Sequence, residues 1–117
     1  VSHTDLHDGQ LLWDGTTLGV IDLDGARLAE AALDLTNLRA HAELARLRGS
    51  LSARGLDSII GWLDDAARRM PTSHARLNAY LDAARLRLIF VHSFRPGSRA
   101  WLDDWRDHAL GGLANTP

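Results

Sequence analysis

Four blocks of apolar residues at helical spacing take up the chain from Ala29 onward, and glycine or proline closes each. Ala31, Leu35, Leu38, Ala42 and Ala45 step by four and three, which predicts a helix over about Ala29 to Arg48 with one apolar seam, ended by Gly49. Leu56, Ile59, Ile60, Leu63, Ala67 and Met70 form a second stripe that Pro71 stops. Thr72 or Ser73 can cap a third helix carrying Leu77, Leu81, Ala84, Leu88 and Val91. After Pro96-Gly97, Ser98 is placed to cap a last helix with Trp101, Leu102, Trp105 and Ala109, closed by Gly111-Gly112. Trp62, Trp101 and Trp105 fall at core spacing and are expected to pack inside.

The first 28 residues differ. Residues 1–9 are a polar loop, and Asp14-Gly15-Thr16-Thr17 separates two short apolar runs, Gln10–Trp13 and Leu18–Leu23. Asp-Gly between such runs is a hairpin signal. The expected fold is therefore mainly α with a small β-hairpin. At 117 residues and 45% hydrophobic content the chain suffices for a single domain, its hairpin part at 1–28 and its helical part at 29–117.

Composition excludes several function classes. A net charge of −2 provides no basic field for nucleic acid or an anionic membrane surface. With no cysteine there is neither a disulfide framework nor a thiolate zinc site. The longest apolar runs, such as Leu88–Val91, fall far short of a membrane span, and no signal peptide opens the chain. A cytoplasmic home is expected. The chain begins at Val1, inside a motif, which fits a partial or processed product better than a natural start.

The chemistry-bearing residues crowd into that first stretch. Asp5 and Asp22 lie 17 positions apart, with Gln10 five after the first. Phosphoryl transfer needs a carboxylate to orient the acceptor hydroxyl and oxygen ligands to hold magnesium against the phosphates. Asp5, on a polar loop, suits the first role. Gln10 and Asp22 suit the second, because magnesium takes carboxylate, amide and water oxygens. His7 stands either near the substrate as a donor or as a pin for the loop. His3, Asp5, His7 and Asp8 are also metal-ligand types, so a metallohydrolase is the competing enzyme class. No second His/Asp cluster completes such a site, and His41, His74, His92 and His108 are scattered among helices.

His3-x-Asp5-Leu6-His7-x-Gly9, then Ile21-Asp22, then Ala32-Leu33-Asp34-Leu35, resembles the aminoglycoside phosphotransferase family of small-molecule kinases. The resemblance implies the C-terminal lobe of a protein-kinase-like fold, with Asp5 the catalytic-loop aspartate, Asp22 the main magnesium ligand and Asp34 a buried brace for the loop. It assigns His3 to packing and hydrogen-bonding the loop. It implies ATP and magnesium as cofactors and a small-molecule hydroxyl, such as that of an aminoglycoside, as acceptor. This chain departs from the family pattern at Thr4, where glycine is usual, at Asp8 for proline, at Leu23 for an aromatic residue and at Gln10 for asparagine.

The glycine-rich turn, strand lysine and helix glutamate that grip ATP in such kinases are not in this sequence, so the chain alone is expected to be inactive. The missing N-terminal lobe is its expected partner, and the apolar lobe boundary the expected place for self-association. The second reading is a non-catalytic helical module or kinase remnant. Asp57, Asp64, Asp65, Asp103, Asp104 and Asp107 would draw a polycation if they lined a cleft, but arginines alternate with them, as on a solvated face.

Overall fold

The computed structural model describes residues 1–114. It is mainly α with a small hairpin. β1 (Leu11–Trp13) and β2 (Leu18–Val20) pair antiparallel, with Leu12 opposite Gly19. They precede α1 (Ala31–Leu47), α2 (Ala53–Arg68), α3 (His74–Ser93) and α4 (Leu102–Ala114).

Local chemistry explains most of the boundaries. Asp14 Oδ1 accepts the N–H groups of Thr16 and Thr17 at 2.8 and 2.7 Å, and Gly15 supplies the left-handed φ of 97° that closes the hairpin. β2 stops at Val20 rather than running to Leu23, because Asp22 takes a left-handed conformation (φ 60°) and Leu23–Gly25 winds into a 3-10 turn. Gly49, at φ 85°, ends α1. Ser50 N–H reaches Ala45 O and Gly49 N–H reaches Arg46 O, the paired bonds of a Schellman cap. Ser52 and Ser73 cap α2 and α3 by accepting the N–H groups of Gly55 and Arg76.

Two expected stops in the last third are corrected. Ser98 sits buried in a 3-10 turn, where its hydroxyl lies 3.4 Å from His92 Nδ1, and α4 starts later, at Leu102. The Gly111-Gly112 pair does not close α4, which continues to Ala114. A Cβ on Gly112 would come within 2.7 Å of Arg85 Nη1, so a larger residue there would shift the arginine side chain that holds Glu43.

α1 is the central helix. Its expected single seam is instead shared between neighbours: Ala40 and Leu44 join Leu81, Ala84, Leu88 and Trp105 in the core, while Leu38, Ala42 and Ala45 face α2. Trp105 and Leu88 are fully buried, and burial of such side chains contributes about 1.5–3 kcal/mol each. α2 buries no residue completely, and Trp62 on it is 70% exposed rather than packed inside. The reason is that α2 and α1 enclose a cavity of about 490 Å³ in place of a closed core.

The core also holds a charge. Glu43 on α1, 7% exposed, takes a two-pronged bond from Arg85 of α3 at 2.7 and 2.8 Å. Arg39 lies 3.3 Å away and His108 of α4 3.2 Å away. Burial pushes the Glu43 carboxyl up, but the bonds and charge of Arg85, with help from His108 and Arg39, hold it below its usual range. Glu43 thereby ties three helices together. Removing Arg85 leaves the buried carboxylate with only the longer contacts to Arg39 and His108, so Arg85→Ala is expected to cost about 3 kcal/mol in urea unfolding. A loss below about 1 kcal/mol would show that water replaces the guanidinium.

Candidate functional site

The loop from Ser2 to Gln10 is held by α1. Asp34, in the first turn of α1, accepts the backbone N–H of His3 at 2.6 Å and of Thr4 at 2.9 Å, one on each carboxylate oxygen. One turn on, Asn37 Nδ2 donates to Leu6 O at 2.8 Å. Thr4, with φ 77°, occupies a conformation that suits glycine, and its hydroxyl offsets some of the strain by donating to Gly25 O at 3.1 Å. These bonds present Asp5 on the far side of the bend.

His3 is buried and its tautomer follows from its partners. Nδ1 accepts the Asp5 N–H at 3.2 Å, so the proton sits on Nε2, which donates to Ile21 O at 2.8 Å. That side chain therefore clamps the loop to the segment carrying Asp22. Gln10 O accepts the Ile21 N–H at 2.9 Å, which continues the hairpin ladder and draws Gln10 beside Asp22. Gln10 Nε2 donates to Asp22 Oδ2 at 3.1 Å.

His7 completes this group with a conflict. Its Nδ1 accepts the Gly9 N–H at 3.0 Å, so Nε2 carries a proton, yet Nε2 faces Gln10 Nε2 at 3.2 Å, donor against donor. Turning the amide over would give His7 an acceptor and bring the Gln10 oxygen beside Asp22. Two converging oxygens of this kind are what a hard cation gathers, so the donor set fits magnesium. The four residues singled out from sequence thus divide: Gln10 donates to Asp22 with His7 Nε2 at 3.2 Å from the same amide nitrogen, while Asp5 accepts instead from Arg87 Nη1 of α3 at 3.2 Å.

Asp5 and His7 face a cavity of about 420 Å³ between the loop, α1 and α3, which Asp8, His41, Arg48, Arg87, His92 and Arg95 also line. It shares Asp8, His41, Ala45 and Ser50 with the apolar cavity between α1 and α2. His7 and His41 stack with ring centres 4.7 Å apart and planes 28° apart. An ion about 2.0 Å from a ring nitrogen lies in that ring's plane, and two stacked planes offer no such common point nearby. The grouping of His7, Asp8 and His41 within 4.8 Å is therefore a poor zinc site as it stands. Burial, with the charge of His7, drives His41 down to about 4, against the opposing pull of Asp8 and Asp5; Arg87 adds a smaller downward push.

Sequence reasoning did not find Asn37, Arg87, His41, Arg48 or Arg95. Asn37 carried a usable signal, three residues after Asp34 and so on the same helix face. Arg87 is 82 residues from Asp5, and nothing local marks it.

The family model of the phosphotransferase enzyme family matches residues 1–71. The match spans the loop, the hairpin, α1 and α2, more than half of the chain, and the chain belongs to that family. No curated protein and no solved structure matches the chain significantly. Among the described residues no helix is long and apolar enough to cross a membrane.

Asp34→Ala is expected to lower the melting temperature, because two loop N–H groups lose their acceptor at a cost of about 1–3 kcal/mol. An unchanged melting temperature would mean that water serves those groups equally well. The low value of His41 carries its own pH dependence. An unfolded histidine titrates near about 6.5, so the unfolded chain binds the extra proton between there and the folded value of about 4. The contribution to stability is complete above about pH 6.5 and disappears as pH falls through about 4. His92, lowered chiefly by burial, adds to it with the same sign. The protein should melt lower at about pH 5 than at pH 7.5, and His41→Gln should remove most of that difference. An undiminished difference in the variant would assign it to other groups.

Proposed function

We propose that this chain is the acceptor- and metal-binding lobe of an ATP-dependent kinase acting on a hydroxyl group of a small molecule. It works as one domain of a protein-kinase-like fold. The observation that supports this most is the joining of Gln10 to Asp22 on the hairpin, beside a loop that Asp34 and His3 hold with Asp5 outward.

Asp5 receives the acceptor. Arg87 occupies Oδ1, which leaves Oδ2 to accept the hydrogen bond of the incoming hydroxyl and aim its oxygen at phosphorus. As that oxygen bonds to the γ-phosphorus, the bond from phosphorus to the bridging oxygen of ADP breaks, and the hydroxyl proton passes to Asp5. Asp22 and Gln10, the latter through its amide oxygen once the amide is turned over, would hold the magnesium ion, which would supply charge neutralisation for the transferring phosphoryl group. His7 holds the Gly9 turn and points its Nε2–H at Gln10, a positioning role.

A nucleotide-gripping lobe is the natural cover for the hairpin, whose Leu12, Trp13, Leu18 and Val20 are all exposed. Where that lobe is absent, the same face is the surface for self-association. The chain by itself is then inactive, and the compartment is the ATP-rich cytoplasm.

Asp5→Asn, made in the protein encoded by the whole reading frame around this chain, should reduce turnover about a hundredfold or more with the KM for ATP little changed. Turnover within about threefold of the unmodified protein would remove Asp5 from the reaction. Absence of ATP-dependent phosphorylation of any alcohol by the unmodified protein would favour the non-catalytic helical module.

A further inference from the structure

The cavity beside Asp5 carries the opposite charge to the one a polycationic acceptor needs. Arg48, Arg87 and Arg95 line it against two carboxylates, Asp5 and Asp8. Arg87 is engaged by Asp5 at 3.2 Å, and Arg48 lies over the Trp101 ring with 4.8 Å to its centre. Arg95 makes no ion pair with any described residue. The positive field is felt nearby: His92, in the wall, is lowered first by burial and then by the charges of Arg95 and Arg48. The acidic residues of the helices do not offset this. Asp65 and Asp103 pair with Arg68 and Arg106 on exposed faces, and Asp57, Asp104 and Asp107 line neither this cavity nor its apolar neighbour.

On the reading of Asp5 as the residue that orients the acceptor, we infer that the acceptor is a hydroxy acid: its hydroxyl meets Asp5, and its anionic group is held by Arg95 and Arg48. An arginine pair suits a carboxylate because guanidinium N–H groups form charge-assisted, often two-pronged bonds with it. The neighbouring apolar cavity, which shares Asp8, His41, Ala45 and Ser50 with the charged one and is walled by Leu38, Ala42, Leu51, Ile59 and Leu63, offers adjacent room for a hydrocarbon part of the acceptor. Nucleotide phosphate is the other anion in reach of a kinase site. Gln10 and Asp22, the metal-side residues, do not line this cavity.

Titration of the purified 117-residue chain by calorimetry tests this without turnover. The probes are para-hydroxymethylbenzoate, its neutral amide para-hydroxymethylbenzamide, kanamycin and Mg-ADP. The acid should bind about tenfold or more tightly than the amide, Arg95→Gln should erase that preference, and Mg-ADP should leave it in place. Circular dichroism and melting of Arg95→Gln establish that it is folded. Should it not fold, Arg95→Lys, which keeps charge and loses the planar fork, should retain part of the preference. Tighter binding of kanamycin than of the acid, equal binding of acid and amide, or displacement of the acid by Mg-ADP would overturn the inference. Its failure is separable from failure of the kinase reading. A whole-frame protein that phosphorylates amino alcohols while this chain ignores the acid loses only the hydroxy-acid assignment. Arginine-dependent binding of the acid without any ATP-dependent transfer removes the kinase reading and leaves the anion site.

Discussion

One carboxylate sets the geometry of the N-terminal third. Asp34 is rooted in a helix and accepts two consecutive backbone N–H groups, those of His3 and Thr4, at an irregular bend of the loop. An irregular loop exposes donors that must be paired, and pairing two of them on one rigid acceptor fixes the direction of the chain between them. His3 repeats the arrangement from the opposite side, with one nitrogen toward Asp5 and the other toward Ile21. The loop and the hairpin are thus referenced to the same helix, and Gln10 and Asp22 meet because of it.

α1 can serve as that reference because it is itself pinned to α3 and α4. Glu43 gathers Arg39, Arg85 and His108, and the apolar cluster around Leu44, Leu88 and Trp105 closes over it. A buried ion pair is weak evidence of net stability against an apolar core. Its effect here is directional, since the two-pronged Arg85 contact admits one register between α1 and α3. That register also places Arg87 opposite Asp5, so packing of the helical core reaches the loop through one turn of α3. α2 contributes differently. It leaves its apolar face partly open, and the resulting cavity shares Asp8, His41, Ala45 and Ser50 with the charged one.

Much of this was legible in residue order. Spacing located all four helices, Gly49 and Ser73 marked real ends, and Asp14-Gly15 marked the hairpin turn. The expectations that failed share a cause. Ser98, Gly111-Gly112 and Trp62 follow local preference in sequence, and in each case the packing around the residue prevailed. His92 meets the Ser98 hydroxyl, Arg85 crowds Gly112, and the cavity wall leaves Trp62 exposed. The α1 seam was misread for a similar reason. A helix surrounded on several sides has no single apolar stripe, and its buried faces include Thr36, Asn37 and Glu43.

The sequence by itself determined which chemistry is available and where it is concentrated: Asp5, His7, Gln10 and Asp22 in one short stretch, with Asp34 ready on the next helix. Local rules suffice for that, because turn residues, caps and apolar periods act over a few positions. Tertiary structure alone decided what surrounds Asp5. Arg48, Arg87 and Arg95 come from the end of α1, from α3 and from just beyond it, and they converge only after the core has packed. Charge in a cleft is a sum over everything nearby in space, and here three arginines distant along the chain meet two carboxylates, while the acidic helix residues stay outside it.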